Sequence, residues 1–223
     1  MTRNRWTGLT GVLFGISFFA AAFTAGTTPD MGESNATEKF ATYWNDTSHQ
    51  SKAAITALVM TYVFLLLIAF AAGLRDRLRA VDAGPLPSLV LAAGVAAAVL
   101  ILAGAQVGSI IGLTADQSSG YKVGGELALT LDTLAYQLFA PGLMAAGVMA
   151  VCTSLVTLRT RVLPAWTAWI GFLVGLAAVG SVFSAWTNFF LLPVWALVIG
   201  LVLLMRGDAE PLDADAASVS GAA

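Results

Sequence analysis

Long apolar runs alternate with short polar turns along almost the whole chain. A helix that crosses the hydrocarbon of a bilayer needs about 17 to 25 residues, and each run is of roughly that length. The pattern therefore predicts an all-α, polytopic transmembrane helix bundle with six spans within residues 1–206. The predicted spans cover residues 7–25, 53–73, 88–113, 138–158, 165–185 and 189–205.

The first span has two interpretations. Its basic start and the small residues Ala20, Ala21 and Ala22 are typical of a cleaved signal peptide. However, the apolar run is longer than a usual signal core, and Gly11 and Gly15 form a small-xxx-small packing face. We therefore favour a retained helix.

Between the last two spans only Trp186, Thr187 and Asn188 intervene. A continuous helix would exceed the bilayer, so a tight hairpin is predicted there.

Basic residues give the expected orientation. In the six-span arrangement all arginines fall on one side and all lysines on the other. Cytoplasmic loops carry an excess of basic residues, so the side with more of them, the arginine side, is predicted to be cytoplasmic, together with both termini. The arginines are Arg3, Arg5, Arg75, Arg77, Arg79, Arg159, Arg161 and Arg206, and the lysines are Lys39, Lys52 and Lys122.

Composition supports a membrane location. Hydrophobic residues make up 58% of the 223 residues and charged residues 11%, whereas soluble proteins carry about 25% charge. The net charge of −2 gives no basic footprint for nucleic acid. Single copies of cysteine and histidine argue against an internal disulfide or a multi-histidine metal site. We expect a multi-pass protein of the cell (inner or plasma) membrane, with lipids as partners and no cofactor, metal or nucleic acid.

The segment 26–52 between the first two spans is the largest predicted outer loop. Asn35 followed by Glu38 has the spacing of a capping box. Phe40, Tyr43 and Trp44 then share one helical face, which predicts a short amphipathic helix near residues 36–44. At the other end of the chain, the acidic segment 207–223 has little to bury and is expected to be disordered.

Polar residues concentrate at the outer end of the fourth span. Asp132 and Tyr136 share one helical face, and Pro141 below them predicts a kink. An acid near the membrane is a functional candidate, but Asp132 could equally be hydrated at headgroup level or paired with Lys122. We predict an outward-facing polar cavity beside this helix. The candidate binding residues are Gln106, Asp132, Tyr136, Gln137, Glu126 and His49.

Glycines mark two further helices. Gly104, Gly108 and Gly112 in the third span follow a double GxxxG spacing and predict close helix packing, as do Gly171 and Gly175 in the fifth. Gln106 lies roughly opposite the third-span glycines and needs a hydrogen-bond partner in the bundle. The fourth span is the expected source of that partner.

Two sequence features carry a family resemblance. The second span runs into Leu74-Arg75-Asp76-Arg77-Leu78, and the fifth begins at Leu163-Pro164-Ala165-Trp166. Together with the Ala/Gly/Leu-rich spans, they resemble uncharacterised actinobacterial multi-pass membrane proteins of the domain-of-unknown-function type. The resemblance implies an inner-membrane location, and neither an activity nor site residues.

Three classes of function are compatible with these features. The first is a non-enzymatic scaffold, sensor or small-molecule or lipid binder, whose partner is a hydrophobic small molecule or another membrane protein. The second is a small carrier or permease. The third is a membrane enzyme of the outer leaflet with Asp132 as acid or base. The glycine-faced spans and the lack of a catalytic motif favour the first class.

Overall fold

A computed structural model describes residues 3–25, 28–118, 120–180 and 185–206, and within these ranges the chain is all-helical. The all-α prediction is therefore confirmed for the described chain. Helices α1, α3, α4, α5 and α7 are long and apolar enough to cross a membrane. The helices are α1 (Arg3–Ala25), α2 (Ala36–Trp44), α3 (Thr47–Arg79), α4 (Leu86–Gln117), α5 (Gly125–Thr160), α6 (Ala165–Val179) and α7 (Ala185–Arg206). The predicted disordered tail, 207–223, lies outside the described residues.

Helix α6 is shorter than the predicted fifth span. Its 15 residues rise about 22 Å, against roughly 30 Å of hydrocarbon. The helix closes at Gly180, whose N–H bonds the carbonyl oxygens of Ala177 and Ala178. Since α7 already begins at Ala185, the hairpin predicted at Trp186–Asn188 is wrong. Helix α6 ends ahead of those residues because the N–H of Gly180 bonds the carbonyls two and three residues back and does not continue the i→i−4 ladder.

Consecutive long helices pack antiparallel. Thr7 near the start of α1 meets Gly73 near the end of α3, and Gly8 meets the backbone of Gly200 near the end of α7. The start of α1 and the end of α7 therefore lie at the same end of the bundle. The ends of α3 and α5 lie there too, and we call this the arginine end because the helices carry their arginines there. The opposite end is the α2 end.

Aromatic side chains fill the centre of the bundle. Phe14 and Phe18 of α1 are almost fully buried, and the ring centroid of Phe18 lies 4.6 Å from that of Phe189 in α7. Phe70 of α3 contacts Trp195 of α7 edge-on, with centroids 6.1 Å apart. Helix α1 thus supplies part of the core.

The glycines of α4 do not form one continuous contact. A Cβ on Gly112 would lie 2.5 Å from the Cβ of Ala53 in α3, and one on Gly104 would lie 2.9 Å from the carbonyl oxygen of Ala135 in α5. Both are close approaches, but to different helices. At Gly108 the nearest atom would be the Ala135 Cβ at 3.5 Å, an ordinary contact distance. Gly108 therefore does not contribute the close packing predicted for it.

Helix α6 packs on α5 through its glycines. A Cβ on Gly171 would collide with the Ser154 hydroxyl and lie 3.0 Å from the carbonyl oxygen of Ala150, and one on Gly175 would collide with Val151. These two positions have the packing environment that their spacing predicts. The lack of side chains at both positions lets α6 lie directly against the α5 backbone.

We predict that Gly112→Ala destabilises the protein while Gly108→Ala does not. The new methyl at position 112 meets Ala53 at 2.5 Å, and such overpacking costs about 1–3 kcal/mol. At position 108 the methyl has room and alanine improves helix propensity. Thermal melting of both variants in detergent checks this, and an equal loss of stability in the two would contradict the assignment.

Candidate functional site

A cavity of about 610 Å³ lies among α1, α3, α4, α5 and α7 towards the α2 end. Pockets that bind small molecules usually have volumes of roughly 300 to 1,000 Å³. Apolar side chains from three helices form its floor: Phe64, Ile101 and Phe139. Gly108 lies in its wall, so the missing side chain there leaves room for the cavity.

Helix α2 and the segment 28–31 form the roof. Helix α2 covers the residues where the sequence predicts an amphipathic helix, and it buries Phe40 and Trp44 completely or nearly so. Tyr43 is partly exposed, and Tyr43 and Trp44 both face the cavity. The aromatic residues of the loop therefore point down into the bundle.

The predicted capping box is wrong, and α2 is held in a different way. The Asn35 side chain makes no capping hydrogen bond, because its φ of −113° and ψ of 26° depart from the extended backbone that an N-cap requires. Instead Asn45, at the other end of α2, bonds the backbone of Val123. Its Nδ2 donates to the Val123 carbonyl at 3.2 Å and its Oδ1 accepts from the Val123 N–H at 3.1 Å.

A close backbone approach fixes the start of α2. The carbonyl oxygen of Thr37 lies so near Gly125 that a Cβ there would collide with it. Gly125 is the first residue of α5. With the Asn45 bonds at its far end, α2 is attached to the segment 123–125 at two points.

The corner between α2 and α3 is built from side-chain-to-backbone hydrogen bonds. Asp46 caps α3 by accepting from the Ser48 N–H at 2.8 Å, and this bond holds the pKa of its carboxyl below the usual range. Gln50, which is buried, donates from Nε2 to the Trp44 carbonyl at 2.8 Å. These bonds hold Trp44 over the cavity.

His49 lines the cavity with its ring stacked on Tyr43. The ring centroids are 3.9 Å apart at an interplanar angle of 15°, and His49 Nδ1 lies 3.1 Å from the Tyr43 carbonyl oxygen. Burial, and to a lesser extent the charge of Asp132, raises the pKa of the Tyr43 phenol. Tyr43 therefore remains neutral and lies within the electrostatic field of Asp132.

Helix α5 presents one of its two polar faces to the cavity. Asp132, Ala135, Tyr136 and Phe139, spaced at i, i+3, i+4 and i+7, all line it. Glu126 and Gln137 belong to the other face and are exposed. The cavity is consequently less polar than the sequence predicts, because two of the candidate residues point away from it.

Asp132 is partly buried in the cavity wall. Within the described part of the chain, the ion pairs do not include Asp132, and Lys122 is exposed. Pairing with Lys122, one of the two alternatives considered for this carboxylate, is therefore not observed. Asp132 instead faces a space large enough for a ligand.

The prediction that Gln106 finds its hydrogen-bond partner on the fourth span is wrong. Gln106 Nε2 donates to the Ala57 carbonyl at 2.9 Å and to the Thr61 hydroxyl at 3.1 Å, and both acceptors belong to α3. Two residues after Gly104, Gln106 is turned about 200° around α4, away from α5. It joins α3 to α4 and lies outside the cavity lining.

Of the six candidate residues, the cavity thus brings together His49, Asp132 and Tyr136. Gly108, Phe139 and Phe189 also line the cavity and are not among the residues predicted from the sequence. A signal for Phe139 was present, since it lies seven residues after Asp132 on the same helical face. Phe189 comes from α7, and the sequence does not show which helix closes that side.

The described ranges contain no cluster of three or more His, Cys, Asp or Glu side chains that could hold a metal ion.

Comparison with protein-family models, with curated proteins and with solved structures finds no match to this chain. In the ranges that the structure describes, the chain is all-helical and five of its helices are long and apolar enough to span a membrane. The actinobacterial resemblance stays a prediction.

We predict that Asn45→Ala loosens the roof of the cavity. The change leaves the N–H and carbonyl of Val123, a buried residue, without their partner, at a cost of about 1–3 kcal/mol. Amide hydrogen exchange across 36–44 should accelerate and the melting temperature should fall. Asn35→Ala is the matched control, because the exposed Asn35 side chain makes no capping bond. Equal behaviour of the two variants would show that Asn45 does not hold α2.

Proposed function

We propose that this chain is a multi-pass protein of the cell membrane with six spans and both termini in the cytoplasm. The positions of the two chain ends support this topology, because the start of α1 and the end of α7 lie at the same end of the bundle. An even number of crossings follows from that placement. Helix α6 is then the sixth crossing, with its 15 residues bridging most of the hydrocarbon.

The arginines support the orientation. Arg75, Arg77 and Arg79 near the end of α3 share the arginine end with Arg159 of α5 and Arg206 of α7. Basic residues are retained on the cytoplasmic side of a membrane. In this orientation the α2 end, with the cavity, faces the outside.

We further propose that the protein is a non-enzymatic binder of an amphiphilic small molecule or lipid. The observation that carries this proposal is the 610 Å³ cavity, whose apolar floor lies beneath a partly buried carboxylate. Apolar walls with a few polar groups are typical of sites that bind small molecules. A ligand would place its apolar part on Phe64, Ile101 and Phe139 and its polar part near Asp132.

The two alternatives have less support. Carriers commonly use helices broken at the binding site, whereas α5 and α7 continue through Pro141 and Pro193. For an enzyme, Asp132 would need a second catalytic group. His49, the histidine of the lining, is held against Tyr43 by stacking and by proximity to its carbonyl. The hydrogen bonds and ion pairs of the described residues do not join His49 to Asp132.

The topology is tested with single cysteines in a Cys152→Ala background. A membrane-impermeant maleimide added to intact cells should label Glu38→Cys and leave Ala83→Cys and Ala223→Cys unlabelled. Permeabilised cells provide the control, since all three sites should then react. External labelling at position 223 would mean that α6 does not cross, and labelling at position 83 would reverse the orientation.

Ligand binding is tested with the uncharged dye N-phenylnaphthylamine on protein in phosphatidylcholine nanodiscs. Saturable fluorescence is expected for the wild type and should be lost in Gly108→Leu, whose side chain would fill the cavity. Gly124→Leu adds the same bulk at an exposed position where a new Cβ meets nothing within 4 Å, and it should bind like the wild type. Unsaturable fluorescence, or equal binding in all three proteins, would refute the cavity as a binding site.

A further inference from the structure

The charges of the cavity lining are all acidic at neutral pH. Asp132 lies in the wall and Asp30 in the roof, and lysine and arginine are absent from the described lining residues. Asp30 is exposed and accepts a hydrogen bond from the Gly32 N–H at 2.9 Å. Asp132 is therefore the anionic group of the interior, and a ligand with a negative group would be repelled by it.

A partly buried carboxylate without an ion-pair partner is unfavourable, because it loses hydration without gaining a compensating charge. Among the described residues Asp132 has no such partner. A positive charge on the ligand would offset this cost. The free energy of binding would then include the attraction between the two charges, which offsets the cost of desolvating the Asp132 carboxylate.

Aromatic rings line the cavity together with Asp132. Tyr43 and Trp44 lie in the roof and Tyr136 lies one turn after Asp132 on α5, whereas Phe139 in the floor packs against Phe189 of α7, with ring centroids 5.6 Å apart. The face of an aromatic ring attracts a cation, most strongly when water is excluded. Rings of this kind suit a weakly hydrated organic cation. A metal ion would instead require several oxygen ligands, which an apolar floor does not supply.

We propose that the ligand of this cavity is a lipophilic organic cation, with its charge beside Asp132 and its apolar body on the floor formed by Phe64, Ile101 and Phe139. This inference rests on the proposed binding function and narrows it to one class of molecule. Lipids whose phosphate would have to lie against Asp132 are disfavoured.

The test compares two ions of nearly the same shape and opposite charge, tetraphenylphosphonium and tetraphenylborate. Equilibrium binding is measured on the full chain in phosphatidylcholine nanodiscs, with empty nanodiscs subtracted. Wild-type protein should bind the phosphonium saturably and the borate weakly. Asp132→Asn should weaken phosphonium binding by roughly 10- to 100-fold, the range expected for losing a charged partner. Asp132→Glu keeps the negative charge and should retain most of the phosphonium binding.

The uncharged dye N-phenylnaphthylamine separates the two proposals. Asp132→Asn should still bind the dye, which also shows that the variant is folded. Dye binding by the wild type without phosphonium binding would overturn the cation proposal and leave the binding function standing. If the wild type binds neither the dye nor the phosphonium, both the cation proposal and the proposed binding function are wrong. Borate binding as tight as phosphonium binding, or an Asp132→Asn variant that binds phosphonium like the wild type, would likewise refute the role of Asp132.

Discussion

Close approach of helix backbones at glycine is the interaction on which the rest of this bundle depends. Between helices in lipid, apolar burial gives little driving force, so van der Waals contact at short range must hold them together. Gly8 against Gly200, Gly112 against Ala53 and Gly171 against the Ala150 carbonyl provide such contacts. They join α1 to α7, α4 to α3 and α6 to α5, and the approaches of Thr7 to Gly73 and of Gly104 to Ala135 connect these pairs to one another.

The cavity is the place where this close packing is interrupted. Gly108 continues the glycine spacing of α4, yet α5 stands at ordinary contact distance from it. Ala135, the nearest residue across the gap, is also small. Two small residues that face each other without backbone contact leave a void, which the aromatic rings of α2 close from above and those of α7 from the side. The same residue type thus produces tight packing at Gly104 and Gly112 and open space at Gly108.

The sequence predicts those features that are determined within a single helix. The apolar runs identify the long helices, and the spacing of Phe40 and Trp44 identifies the buried face of α2. Contacts between two helices are harder to predict from the sequence. A helical wheel shows that Gln106 and Gly104 point in different directions, but it does not show that Gln106 faces α3. For the same reason only packing distinguishes Asp132, which lines the cavity, from Gln137, which is exposed. The end of α6 depends on the local turn at Gly180.

The attachment of α2 has a kinetic consequence. Asn45 bonds Val123 across 78 residues of sequence, and Thr37 abuts Gly125 at the other end of the helix. A roof fixed at two points cannot lift as a hinged lid without breaking both attachments. A ligand of the proposed kind would then exchange past the segment 28–31 or laterally between helices. Its residence time would be set by the motion of those elements, and a weak ligand could still dissociate slowly.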